Sequence, residues 1–178
     1  PLYSSAASDV YKRQSPWRME YIQRAAKSSG CIFCEKPRER RDRSNLILAR
    51  GRYCFVMLNA YPYNSGHLMI APYRHVGQPT LLREAEFVEI FRLLRTFLTA
   101  LDKAYSPSGY NIGMNVGRAS GAGIPGHIHL HVVPRWTGDT NFMPVISDTK
   151  VLPETLDQTY EKIYSTLHDS VKSRLVNQ

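Results

Sequence analysis

Apolar residues recur along this chain with two periods, and the two periods lie in different places. Phe87, Ile90, Phe91, Leu94, Leu98 and Leu101 follow the i, i+3, i+4, i+7 spacing of one helix face. With Thr80 in the place of an N-cap, Arg83-Glu84 in the first turns and Pro107-Ser108-Gly109 beyond the end, the pattern predicts a long amphipathic helix over residues 81–104. A second helical pattern, Leu156, Tyr160, Ile163, Tyr164 and Leu167, lies within Leu152–Leu175, with Pro153 in an N1-like position. Trp17, Tyr21 and Ile22 sit at helical spacing and predict a short helix running to about Lys27. Between these stretches, short apolar or alternating runs predict five strands: 46–50, 53–59, 67–72, 110–116 and 126–134. Gly51-Arg52, the connector Tyr61–Gly66, and Pro72 punctuate them. Strands in hairpin order outnumber the helices, so the predicted class is α+β with an antiparallel sheet. No internal repeat and no second domain is visible. Residues 1–16 are aperiodic, small and polar, and read as a foreign tail, which leaves 17–178 as one domain.

The last strand changes the picture from fold to chemistry. In Gly126-His127-Ile128-His129-Leu130-His131-Val132-Val133-Pro134, three histidines alternate with three apolar residues. Strand side chains point alternately to opposite faces, so the three imidazoles share one face with His129 in the middle, while Ile128, Leu130 and Val132 point into the core. Packing does not explain the pattern, because burying three unbonded imidazoles costs several kcal/mol. Imidazole can serve as nucleophile, general acid/base or metal ligand near neutral pH. The structural reading that competes with catalysis is a purely structural metal site.

Cys31 and Cys34, two residues apart, can bite one tetrahedral Zn²⁺ if two more ligands are supplied; otherwise they are free thiols. Cys54 reads as a small core residue. Three cysteines with one Cys-x-x-Cys pair point to a reducing compartment, so the expected location is the cytoplasm. No run of ~18 apolar residues is present, so no membrane span is expected. The net charge of +8 suits a polyanionic substrate. The basic cluster Lys36, Arg38, Arg40, Arg41 and Arg43 is diluted by Glu35, Glu39 and Asp42 and lacks interleaved aromatics, so nucleic acid is not the expected partner.

The histidine strand resembles the signature of the histidine-triad (HIT) family. The resemblance extends to Asn59 and Pro62 ahead of Gly66-His67-Leu68-Met69-Ile70-Ala71-Pro72, and to Asn115-Val116-Gly117, covering roughly Cys31 to Trp136. Pro134-Arg135-Trp136, followed by Gly138-Asp139 and Asn141-Phe142, makes the chain look most like the bacterial members that act on diadenosine tetraphosphate. The resemblance implies a five-stranded sheet per subunit and a dimer, or a higher homo-oligomer, in which two sheets join. It implies that His129 attacks the α-phosphorus and forms a nucleotidyl-histidine. The glycine-rich loop 117–126, with His127 or His131, holds the developing charge, and His67 orients the ring. Met57 and Met69 clamp the adenine, Asn59 bonds the ribose, and Asn115 belongs to the same substrate site. It also supplies His75 and His127 as the remaining zinc ligands beside Cys31 and Cys34, a structural ion, with no metal required at phosphorus.

One position departs from the family pattern. Many HIT hydrolases and phosphoramidases carry Gln or Ser where this chain has Gly123. In the tetraphosphate enzymes a tryptophan placed like Trp136 lies near the substrate. The expected activity is therefore phosphorolysis of diadenosine tetraphosphate to ADP and ATP, with inorganic phosphate rather than water discharging the intermediate. The alternatives are hydrolysis of dinucleoside polyphosphates, a phosphoramidase, and a non-enzymatic zinc-stabilised nucleotide-binding module.

Overall fold

The computed structural model describes residues 30–139 and 152–167 of the 178-residue chain. The helix expected from Trp17, the tail, and Asn141-Phe142 lie outside the described residues. The elements in chain order are α1 (Ile32–Glu35), β1 (Ile47–Arg50), β2 (Cys54–Leu58), β3 (Leu68–Pro72), α2 (Glu84–Tyr105), β4 (Gly109–Met114), β5 (Leu130–Arg135) and α3 (Leu156–Thr166). Short 3₁₀ turns occupy Lys36–Glu39, Pro79–Leu81 and Arg118–Ser120. The strands form one sheet in the order β1-β2-β3-β5-β4, antiparallel at every described pairing. This is the α+β class and the five-stranded sheet that the sequence led us to expect.

Two faces of that sheet are put to different uses. On one, Val56 and Leu58, Leu68 and Ile70, and Leu130 and Val132 pack against Ile90, Leu94, Phe97 and Leu101 of α2 and Tyr160 and Ile163 of α3. On the other, Phe55, Met57, Met69 and Ala71 pack with Ile47 and with Phe33 from α1. Strand β2 is therefore buried on both faces, which explains why Cys-Phe-Val-Met-Leu reads as a continuous apolar run rather than an alternation. Strand β4 lies at the edge and is largely exposed.

The long helix begins later than predicted. Pro79–Leu81 makes a 3₁₀ turn and the N-cap position falls on Arg83, not Thr80. The side chain of Glu86, at N3, accepts the N–H of the N-cap residue Arg83 at 2.8 Å, as the acidic half of a capping box does, and also binds Arg74. One turn further on, Glu89 accepts three backbone N–H groups, from Arg52, Tyr53 and Cys54, at 2.9, 2.6 and 2.7 Å. It fastens α2 to the β1–β2 turn. Pro153 does not open α3. Thr155 caps it, accepting from the Gln158 N–H while Gln158 reaches back to the Thr155 N–H. The β5 ladder starts only at Leu130. His127 and His129 precede it, in a segment where the Ile128 N–H donates to the Val76 carbonyl at 2.6 Å.

Candidate active site

Strand register brings the histidines together. Met69 of β3 stands opposite His131 of β5, and His67 lies just ahead of β3. His67 Nε2 and His131 Nδ1 are 2.9 Å apart. The Tyr63 N–H donates to His67 Nδ1 at 3.1 Å, so Nδ1 is the acceptor and Nε2–H is the donor to His131. In its neutral form His131 then carries its proton on Nε2. The Tyr63 ring stacks on His67 with centroids 4.9 Å apart, and Asn59 Nδ2 stands 3.4 Å from His67 Nδ1.

His129 is the middle residue in space as well as in sequence. Its ring lies 4.6 Å from that of His131 and 4.6 Å from that of Phe33. Nδ1 is 2.9 Å from the His127 carbonyl oxygen. A carbonyl only accepts, so the proton sits on Nδ1 and the Nε2 lone pair is left unprotonated. Burial lowers the pKa of His129 and favours this neutral ring.

His127 is fully buried, and both of its nitrogens are committed. Nε2–H donates to the Pro72 carbonyl at 2.8 Å. Nδ1 faces Cys31 Sγ at 3.3 Å and Cys34 Sγ at 3.6 Å, and Cys34 Sγ lies 3.4 Å from His75 Nδ1. The four atoms of Cys31, Cys34, His75 and His127 all fall within 4.8 Å of one another. Ligand atoms around a tetrahedral zinc stand roughly 3.3–3.8 Å apart, so the measured sulfur–nitrogen separations match such a shell. The Pro72 carbonyl fixes the His127 tautomer as an outer-shell partner does. Gly126 allows the close approach of His75: a Cβ there would lie 3.2 Å from its Nε2. Burial pushes His127 down to about 4 and the Cys31 thiol up to about 11. With its nitrogens directed at Pro72 and the thiols, His127 belongs to this cluster; no phosphate can reach either nitrogen without breaking one of these contacts.

The other expected residues are placed less uniformly. Asn115 lines the groove that contains His131, together with Ser120 and Gly121 of the glycine-rich loop. Gly123 sits at a half-buried bend of that loop. Asn59 is half-buried and accepts the Tyr61 N–H at 2.9 Å. Met57 and Met69 are 1% and 5% exposed, packed beside Phe33, so a base reaching them must displace that ring. Trp136 is not brought to the histidines. Along β5, His131, Val133 and Arg135 share one face, and Trp136 continues the other, meeting Tyr105 edge-on at 6.2 Å in a helix-side cleft.

Three contributors escaped the sequence reading. Phe33 covers both His127 and His129, and Tyr63 covers His67. Asp139 accepts from Arg135 Nε and Nη2, from the Trp136 N–H and from Asn64 Nδ2, and Asn64 Nδ2 also donates to the Pro134 carbonyl. This network ties the 59–67 connector, and with it His67, to the end of β5. The Arg135 guanidinium holds the Asp139 carboxyl well below the usual range. The i, i+4 pair Arg135–Asp139 was a readable signal; its partner Asn64 was not.

Known proteins agree with this geometry. The HIT domain family model matches residues 40–138. The AP-4-A phosphorylase of Mycobacterium tuberculosis is 37% identical over 153 residues, 82% of this chain and 78% of that protein. An asymmetrical bis(5′-nucleosyl)-tetraphosphatase of Schizosaccharomyces pombe is 29% identical over 52% of this chain and 50% of its own. Among solved structures, a zinc-bound histidine triad family protein from Mycobacterium smegmatis superimposes with a TM-score of 0.56 at 18% identity, over 86% of this chain and 94% of its own. A hypothetical histidine triad nucleotide-binding protein from Sulfolobus tokodaii does so with 0.58 at 21%, over 80% and 93%. Motif, sheet order, histidine geometry and sequence relatives converge: the chain belongs to the HIT domain family.

Proposed function

We propose that this chain is a nucleotidyl transferase acting on dinucleoside polyphosphates, with diadenosine tetraphosphate as substrate and inorganic phosphate as acceptor. The observation that carries the reading is the tautomer of His129: the His127 carbonyl holds Nδ1–H and leaves Nε2 unprotonated as the nucleophile. Nε2 attacks the α-phosphorus, the α–β bridging P–O bond breaks, and ATP leaves. Phosphate oxygen then attacks the same phosphorus, the P–N bond breaks, ADP forms and the His129 lone pair is restored. His131 presents Nε2–H to a phosphoryl oxygen, and His67 fixes that tautomer from behind. The relative in M. tuberculosis and the small Gly123 both favour phosphate over water.

The donor set of Cys31, Cys34, His75 and His127 fits zinc. When bound, the ion supplies structural cross-linking, and no step at phosphorus is assigned to it. Its effect on the chemistry runs through residue His127, whose carbonyl orients His129. Among the described residues β4 has only β5 beside it, and Ile112 and Val116 are 44% and 43% exposed, which suits a homodimer formed along this edge. No helix among the described residues is long and apolar enough to cross a membrane. The unpaired thiols accord with a cytoplasmic enzyme.

The test is product identity. Diadenosine tetraphosphate incubated at several phosphate concentrations should yield ADP and ATP, with ADP rising with phosphate. His129→Ala should lose about 10³-fold or more in rate and should not acquire a covalent adenylyl group. AMP and ATP at every phosphate level would establish the hydrolase instead. Near-native turnover by His129→Ala would remove the mechanism.

A further inference from the structure

A groove of about 710 Å³ runs away from His131 along the face shared by β4 and β5. That volume lies within the range of sites for small organic ligands, about 300–1,000 Å³. Its floor is built by strand alternation. His131, Val133 and Arg135 of β5 lie beside Gly113, Asn111 and Gly109 of β4 in register. Tyr63 forms part of its wall. We propose that this groove is the subsite for the distal nucleoside of the dinucleoside polyphosphate, the half that leaves when His129 is nucleotidylated. The proposal rests on the reading of His129 given above and deepens it.

Two observations carry it. The first is Gly113, directly opposite His131. A glycine inside a strand weakens it and often marks a place where a ligand approaches closely. Nothing in the fold demands glycine here. Gly113 is not among the glycines with positive φ, and a Cβ added to it would meet no atom within 4 Å. What the missing side chain does is keep the groove floor flat beside His131.

The second is the charge at the far end. Arg135 is the groove's cation, yet its Nε and Nη2 donate to Asp139 and its Nη1 donates to Asn111. The pair is electrically compensated, so this end offers polar groups without net positive charge. It suits an uncharged, flat, hydrogen-bonding group rather than a phosphate. Phosphates belong at the other end, where His131 and the glycine-rich loop stand. A polyphosphate held at the histidines and leading into a neutral groove with an aromatic wall has a nucleoside at its tip.

The graded series Gly113→Ala, Gly113→Val and Gly113→Leu fills the floor without a clash in the folded chain. Each variant is assayed with diadenosine tetraphosphate and with adenosine 5′-phosphoramidate, which passes the same adenylyl group but has no distal nucleoside. The ratio of the two kcat/KM values should fall with side-chain size, roughly tenfold for Leu. A ratio unchanged within about twofold across the series overturns the proposal. Binding reads the same groove without chemistry: on a His129→Ala background, Gly113→Leu should weaken diadenosine tetraphosphate more than AMP. Equal effects on both ligands overturn it there too. If the unaltered enzyme turned over neither substrate, the functional reading would fail, while the binding comparison would still decide the groove.

Discussion

Asp139→Ala removes the knot that joins His67's connector to the end of β5. Three partners lose their acceptor at once: the Arg135 guanidinium at 2.6 and 2.9 Å, Asn64 Nδ2 at 2.8 Å and the Trp136 N–H at 3.2 Å. Buried hydrogen bonds to a charged group contribute a net of about 1.5–3 kcal/mol each. The Arg135 side chain is 43% exposed and will be rehydrated, so its share is heavily discounted. Asn64 is buried and keeps a bond to the Pro134 carbonyl, which softens its loss. The net expectation is a destabilisation of about 2 kcal/mol, or roughly 4–8 °C in Tm for a chain of this size. Activity should drop as well, by about tenfold to a hundredfold in kcat, because His67 and His131 lose their fixed separation. Urea denaturation and steady-state kinetics measure the two effects. The pH dependence is a separate check. The folded pKa of Asp139 is depressed, so its contribution is complete above the unfolded value and is lost as pH falls through the folded one. The stability gap between wild type and variant should therefore be constant at neutral pH and narrow below about pH 4. An unchanged urea midpoint with unchanged kcat would refute the reasoning.

Protein purified without chelator should carry one zinc per chain, and Cys34→Ser should lose metal and Tm together; a metal-free native protein of equal stability would contradict the cluster assignment. Glu89→Ala strips three backbone N–H groups of their acceptor and should cost about 3 kcal/mol in urea unfolding, with a loss under 1 kcal/mol showing that water replaces the carboxylate. Light scattering should find two chains per particle, and Ile112→Lys on the β4 edge should shift the population to single chains; a monomeric wild type ends that proposal.

Periodicity made the sheet, α2 and the triad legible, because the helix and strand patterns each repeat often enough to outweigh local exceptions. The errors fell where one side chain decides. Thr80 looked like a cap, but a carboxylate on the helix itself served the start of α2. Pro153 has the place of a first helical residue, but the box formed by Thr155 and Gln158 sets the boundary three residues later. At the site, Cys31 and Cys34 were readable from their spacing and His75 and His127 from the family resemblance, whereas the coverings Phe33 and Tyr63 were not, since an aromatic in a short turn has no periodic signature. Trp136, one residue beyond Arg135, faces the helices and meets Tyr105 rather than the histidines.

The cluster that joins Cys31 to His127 spans 96 positions, and the one link from Cys34 to His75 spans 41. An ion bound there closes a loop of nearly the whole described sheet. By analogy with a disulfide closing a loop of that length, the constraint on the unfolded chain is worth up to about 4–5 kcal/mol. The unfolded chain, however, offers only the adjacent thiols as a chelating pair, because His75 and His127 are held beside them only where β3 and β5 are paired. Tight capture therefore follows assembly of the sheet. Interactions absent from the folding transition state act on the unfolding rate. The ion should prolong the lifetime of the folded enzyme while leaving the speed at which it forms almost untouched.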